Sequence, residues 1–429
     1  MKIILKDIRL LNPEQDLDKT ADLLIEDGVI SKIGNLEAAD LNNAEVFEYE
    51  NTVVVPGLFD MHVHLREPGR EDEETIKSGS NAAAAGGFTS IACMPNTKPA
   101  IDSAEFVNSI IMKSANHLVE VLPVAAITPA REGDGLAPIA ELVEAGAIAF
   151  SDDEKAVKNA SVLRAALEYT NMYGKTVIEH CEDSDLSEGV MNESLVSTML
   201  GLPSKPTISE EIVVMRDIAL AEYTGGKLHI AHVSSKRSVE LVREAKARGV
   251  NITAEVTPHH FSLTDEAVKT FDTNYRVNPP LRGKEDVEAI LEGLKDGTID
   301  CIASDHSPRA IEEKDVEFIY AADGMVGLET SLGLALSELV HKSVLDLAKL
   351  TELMAINPRK VLGLPVPKIE VGAKAELTVL DPDAVWTVDV KKFKSKSKNS
   401  PFDKKLLTGK SVAVINRGKM FTEDGFKDI

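Results

Sequence analysis

Between residues 53 and 306, short apolar runs rich in β-branched residues alternate with longer segments that read as helices. The strand candidates are Val53 to His64, Phe88 to Met94, Val121 to Thr128, Ala147 to Asp153, Thr176 to His180, Leu228 to Val233, Ile252 to Thr257 and Cys301 to Asp305. Helix-like segments separate most of them: Lys77 to Ala85, Ala104 to Ala115, Ala137 to Ala145, Ser161 to Tyr173, Glu210 to Tyr223, Ser238 to Arg248 and Val287 to Leu294. Strands that alternate with helices pair in parallel, and eight such units in about 250 residues predict a (β/α)8 TIM barrel. An open doubly wound sheet is the alternative, and the lack of a glycine-rich phosphate fingerprint after the first strand weakens it.

The two ends follow another pattern. Lys2 to Leu10, Leu23 to Ile25 and Val29 to Ile33 are strand-like, with a hairpin signal at Glu26-Asp27-Gly28. Glu376 to Leu380, Val385 to Val388 and Val412 to Ile415 are strand-like near the C-terminus. Both ends are therefore expected to build one small composite β-sandwich domain, from residues 1–52 and 366–429, beside a barrel of residues 53–365. The lysine-rich run Lys391 to Lys398 reads as a solvated loop, and Ser307 to Asp323, without clear periodicity, as a mobile loop.

Composition narrows the partners. Acidic residues number 70 against 47 basic, a formal net charge of -23, which argues against nucleic acid or an anionic membrane surface. A small anionic substrate stays compatible, because local arginines can override the global field. Cys93, Cys181 and Cys301 are sparse, odd in number and lie in apolar strands or at their ends, as expected of reduced thiols in a cytoplasmic protein. No stretch approaches the roughly 20 apolar residues of a membrane span.

The candidate chemistry falls at strand ends. In His62-Val63-His64 the two imidazoles share a face, because side chains at i and i+2 of a strand do. The fourth strand ends in Ser151-Asp152-Asp153, the fifth in Glu179-His180, the sixth in Ala231-His232 and the eighth in Ser304-Asp305. In a parallel barrel these ends meet on one face. Any one of these residues alone is more often a hydrogen-bonded core histidine, a helix cap or an ion-pair partner. Four histidines and two carboxylates on one face point instead to one or two metal ions, with zinc the best match to imidazole and carboxylate. His229, three residues before His232, is expected to face away, and His259 and His260 to stand behind the ligands.

Gly57-Leu58-Phe59-Asp60-Met61-His62-Val63-His64-Leu65-Arg66-Glu67-Pro68-Gly69 resembles the first-strand signature of the dihydroorotases, in the amidohydrolase superfamily. The resemblance continues in order through Met94 to Thr97, Phe150 to Asp153, Glu179 to Asp183, Ala231 to Ser234, Thr257 to His260, Val277 to Arg282, Asp305 to Pro308, Gly327 to Thr330 and Lys398 to Phe402. It implies a metal-loaded barrel that interconverts N-carbamoyl-L-aspartate and dihydroorotate in pyrimidine synthesis. It further implies that His62, His64 and Asp305 hold one metal, and that His180 and His232 hold the second. A carboxylate from the fourth strand would bridge them; spacing to His180 favours Asp153 over its neighbour Asp152. Arg66, Asn96 and Asn278 would grip the substrate carboxylate, and Asp305 would shuttle the proton of an attacking metal-bound hydroxide.

One position departs from the family pattern. Arg309 stands where a substrate-contacting histidine is expected after Asp305-His306-Ser307-Pro308. Arginine still donates, but it is longer and permanently charged. Two rivals follow. One is an allantoinase or hydantoinase, whose bridging carboxylated lysine has no counterpart in the fourth strand. The other is a non-catalytic or partner-dependent subunit of an aspartate transcarbamoylase complex, against which the full ligand set argues. A homodimer is the default assembly, and association with the transcarbamoylase is an expectation of the family alone.

Overall fold

The computed structural model describes residues 1–429. The N-terminal segment supplies β1 (Lys2–Asn12), β2 (Leu17–Glu26), β3 (Val29–Ile33), β4 (Ala44–Glu48) and β5 (Val53–Pro56). The barrel strands are β6 (Leu58–Val63), β7 (Phe88–Cys93), β8 (Glu120–Ala125), β9 (Ala149–Ser151) and β10 (Thr176–Glu179). A two-stranded excursion, β11 (Met191–Asn192) and β12 (Ser204–Lys205), precedes β13 (Lys227–Ile230), β14 (Ile252–Val256) and β15 (Cys301–Ile302). The C-terminal segment adds β16 (Leu377–Thr387), β17 (Leu406–Asn416), β18 (Lys419–Thr422) and β19 (Gly425–Asp428).

Barrel strands pair in parallel and in chain order from β6 to β15. Closure comes just beyond β15, where Val63 bridges His306 and the His64 N–H donates to His306 O at 2.9 Å. Helices such as Ile76–Gly86, Ala104–Ser114, Ala160–Met172 and Lys236–Ala247 return the chain between strands, as their apolar stripes predict. Their inner faces and the outer strand faces form the main core of 65 buried residues.

A second apolar cluster fills the barrel interior with Phe59, Met61, Ala92, Val124, Ile178 and Cys301. Strict alternation from Phe59 and Met61 would turn His62 and His64 outward. The register of β6 on β7 slips between Asp60 and Val63, and the irregularity transfers the inward face to the histidines.

The first apolar run is not one strand but two. It divides at Gly57: β5 pairs with β1 and β16 in the terminal sheet, and β6 opens the barrel. The two chain ends are hydrogen-bonded into one sheet of nine strands around Ile3, Leu5, Leu23, Leu377 and Ile415. The sheet curls back on itself where the Ile30 N–H donates to Ala373 O at 2.9 Å. Under the barrel, the buried Arg359 guanidinium lies 5.1 Å from the Phe59 ring centroid and pairs with Glu376, tying barrel to sheet.

The run Lys391 to Lys398 is more than a solvated loop. Ser395, Ser397 and Asn399 are buried; Ser395 bonds Glu74, and the Ser397 hydroxyl donates to Glu73 O at 2.7 Å. The Asn399 amide donates to Ser307 O and Gly324 O at 3.0 and 3.1 Å and accepts from the Arg309 N–H at 3.1 Å. This strap fixes both ends of the segment expected to be a mobile loop. Within that segment Ile311–Lys314 forms one helical turn, and the buried Lys314 ammonium donates to the carbonyls of Thr273 and Ala322.

A Cβ on Gly57 would lie 2.2 Å from Thr89 Oγ1, with Thr89 itself bonded to Leu58 O and Glu376. Gly57→Ala is expected to cost about 1–3 kcal/mol through overpacking at the joint between sheet and barrel. Chemical denaturation measures it, and an unchanged midpoint would contradict this account of the joint.

Candidate metal centre

Four imidazoles and two carboxylates meet at the C-terminal ends of the barrel strands, all of them buried. His62 comes from β6, and His64, Asp153, His180, His232 and Asp305 lie just past β6, β9, β10, β13 and β15. His232 and Asp305 take left-handed backbone conformations, with φ of 34° and 46°. Such conformations cost energy for residues with a Cβ and gather where a side chain must be aimed.

Asp153 stands at the centre. Its carboxylate is 3.4 Å from His62 Nε2 and 3.6 Å from His64 Nε2 through Oδ2, and 3.8 Å from both His180 Nδ1 and His232 Nε2 through Oδ1. Two ligand groups result, His62–His64–Asp153 and Asp153–His180–His232, with Asp153 common to both. Asp305 Oδ1 adds to the first group, 3.1 Å from His64 Nε2 and 3.8 Å from His62 Nε2. Both Asp153 oxygens and His62 Nε2 are buried without a hydrogen-bond partner. Such groups are expensive unless something else satisfies them, and a divalent cation fits this donor set. Asp152 is otherwise engaged, accepting from the Ile127 and Thr128 N–H groups at 2.9 and 3.1 Å.

Groups behind His62 and His64 fix the tautomers of these two imidazoles. His62 Nδ1 donates to Glu255 Oε1 at 2.6 Å, leaving Nε2 toward Asp153. His64 Nδ1 donates to Asn96 Oδ1 at 2.9 Å, since an amide oxygen only accepts. His229 does not face away: its Nε2 is 3.2 Å from Glu255 Oε2 and its Nδ1 is 2.8 Å from Thr253 Oγ1. His62, Glu255, His229 and Thr253 therefore form a polar layer above the apolar plug. Burial disfavours charge on His62, but the carboxylates of Asp153 and Glu255 outweigh it and push its pKa well above the ordinary value. Burial likewise opposes charge on Asp153, yet the surrounding imidazoles hold it well below the usual carboxylate range. His260 donates through Nε2 to Pro279 O at 3.0 Å, and His259 Nε2 is buried and unpaired.

A cavity of about 220 Å3 opens onto the cluster, with Asn278, Ser307 and Arg309 in its wall. Arg66 and Asn96 stand beside the cluster, each with one buried nitrogen lacking a partner, Nη2 and Nδ2. Lys205 Nζ donates to Asn278 Oδ1 at 2.8 Å, which turns the Asn278 NH2 toward Glu182 Oε2, 3.0 Å away. Arg309 Nη2 donates to Glu154 Oε1 at 3.1 Å. Its guanidinium thus belongs to the cavity wall.

Sequence reasoning missed Glu255, Glu154, Glu182 and Lys205. Glu255 had a signal, being a carboxylate inside an apolar strand that needs a buried partner. Glu154 and Glu182 lie in loops and Lys205 in β12, all in crossings between barrel strands whose course only the folded chain sets.

The chain superposes on an L-hydantoinase (dihydropyrimidinase) from Arthrobacter aurescens with a TM-score of 0.87, at 26% identity over 100% of this chain and 97% of that one. It superposes on a dihydropyrimidinase from Brevibacillus agri with a TM-score of 0.84, at 22% identity over 98% and 95% of the two chains. With the site described, this fold defines an amidohydrolase of the barrel class. The carboxylate common to both ligand groups is Asp153; the nearby Lys155 is exposed and donates to Arg131 O at 3.2 Å. A family model described as dihydro-orotase-like matches residues 51–238. A dihydroorotase of Syntrophus aciditrophicus is 49% identical over 99% of this chain and 100% of that protein, and one of Pelotomaculum thermopropionicum is 51% identical over 99% of each. The chain belongs to the dihydroorotase family.

Glu255→Gln keeps the size of the side chain but removes the charge that orients His62. Loss of such a partner typically weakens metal binding about 10- to 100-fold. Chelator competition measures the change, and unchanged affinity would show that His62 needs no support from below.

Proposed function

We propose that the protein is a zinc-dependent dihydroorotase that interconverts N-carbamoyl-L-aspartate and (S)-dihydroorotate. The observation that carries this reading is the buried Asp153 carboxylate, unpaired between two histidine pairs, with Asp305 3.1 Å from His64. His62, His64 and Asp305 would hold one zinc ion, His180 and His232 a second, and Asp153 would bridge them. When bound, zinc supplies Lewis acidity toward the amide carbonyl and lowers the pKa of water.

The chain's own residues do the rest. In hydrolysis, Asp305 accepts a proton from the water that attacks the ring carbonyl and returns it to the ring nitrogen as the C–N bond breaks. Cyclisation runs the same transfers in reverse. Arg66 Nη2 and Asn96 Nδ2, buried donors without a partner, would bind the substrate carboxylate together with Asn278 and Arg309. The barrel expected over residues 53–365, less β5 (Val53–Pro56), which pairs in the terminal sheet, would carry this chemistry, and the two ends the accessory domain. Cytoplasmic location, a homodimer and contact with an aspartate transcarbamoylase complete the proposal; no helix is long and apolar enough to cross a membrane.

Zinc-loaded protein is expected to hydrolyse dihydroorotate, and Asp305→Asn to lose about 10²- to 10⁴-fold in turnover. Asp305→Asn at the wild-type rate with unchanged metal content would overturn the proton-transfer role. No turnover by loaded wild-type protein would favour the partner-dependent reading.

A further inference from the structure

Two guanidiniums converge on a single oxygen at the cavity wall. Arg309 Nη2 is 3.1 Å from Glu154 Oε1 and Arg66 Nη1 is 3.6 Å from the same atom. Both cations are fixed from behind. The Arg309 Nε–H donates to Asp323 O at 2.7 Å and its backbone N–H to Asn399 Oδ1 at 3.1 Å. The Arg66 Nε–H donates to Pro308 O at 3.2 Å, and Arg66 itself is buried.

Glu154 is not fixed. Its side chain is 41% exposed, and its one hydrogen bond is the one from Arg309. It follows Asp153 directly, so its backbone is anchored beside the cluster while its carboxylate is free to swing outward. The buried Glu73 carboxylate backs both cations, 3.4 Å from Arg66 Nε and 3.9 Å from Arg309 Nη1, so the structure holds an outward anion position made of two rigid donors and occupied by one movable carboxylate of the chain.

We propose that Glu154 is an internal stand-in for the substrate carboxylate, a specificity-determining residue that the substrate displaces from Arg66 and Arg309. This rests on the dihydroorotase reading, in which the substrate is an anionic ring carboxylate. A planar carboxylate matches the guanidiniums as Glu154 does, and the half-exposed Glu154 pair is weak enough to exchange. An uncharged ring cannot replace the lost charge pair. The arrangement thus screens against neutral cyclic amides while lowering affinity for the correct one.

The test compares metal-loaded wild-type protein with Glu154→Gln and Glu154→Ala, using orotate, an unsaturated ring carboxylate, as the calorimetric probe. Both variants are expected to bind orotate roughly 3- to 10-fold more tightly. The KM for dihydroorotate is expected to fall in parallel, while kcat changes by less than about twofold, as for loss of a ground-state competitor. Unchanged or weaker orotate binding in both variants would overturn the inference and leave Glu154 as a support for Arg309. Tighter binding in Glu154→Ala but not in Glu154→Gln would also overturn it, because space rather than charge would then be responsible. The binding comparison stands without turnover, so an inactive wild-type protein would count against the dihydroorotase reading and not against the role of Glu154.

Discussion

Removing four imidazoles and two carboxylates from water at one barrel mouth costs more than packing returns, unless each group meets an opposite charge, a hydrogen-bond partner or a metal. Much of the molecule is arranged around that constraint. Asp153 can remain ionised because imidazoles surround it on two sides. His62 can be buried because Glu255 takes one ring nitrogen and Asp153 faces the other. Glu255 in turn has the His229 imidazole 3.2 Å from its second oxygen. This chain of buried groups leads to Asp153, where both carboxylate oxygens and His62 Nε2 lack hydrogen-bond partners and a cation fits.

The parts far from the chemistry serve the same arrangement. The irregularity in β6 changes which face looks inward, so this strand and the residue after it supply Phe59 and Met61 to the plug and His62 and His64 to the site. The terminal sheet closes the lower side through Arg359 and Glu376. From the upper side the strap at Ser395 to Asn399 holds Glu74 and the backbone of the Arg309 loop. Arg309 fills the cavity wall, because Asn399, Asp323 and Glu154 each take part of its hydrogen bonding.

Periodicity alone revealed the eight barrel strands, since parallel strands buried on both faces read as apolar runs. It also revealed which polar residues terminate them. The sheet built from both chain ends was legible from the strand-like runs near each terminus and the hairpin signal at Glu26-Asp27-Gly28, although its pairs are mainly antiparallel. The division at Gly57 was not, because β5 and β6 are equally apolar and only their pairing partners distinguish them. The inward turn of His229 was hidden because strand spacing was counted from His232, which lies beyond the strand in a left-handed conformation where alternation no longer applies. The strap was hidden because lysines dominate its composition while the serines and Asn399 between them make the buried contacts.

The sequence by itself determined the barrel, the ligand types and their position at the strand ends, because burial patterning and strand direction are local properties. Tertiary structure decided which of two adjacent aspartates faces the histidines: Asp152 is consumed by the Ile127 and Thr128 amides and Asp153 is not. It also decided that Arg66, Arg309 and Glu154 meet at one oxygen. Those outcomes depend on distances between loops far apart in the chain, which the closure of the barrel sets and no local pattern encodes.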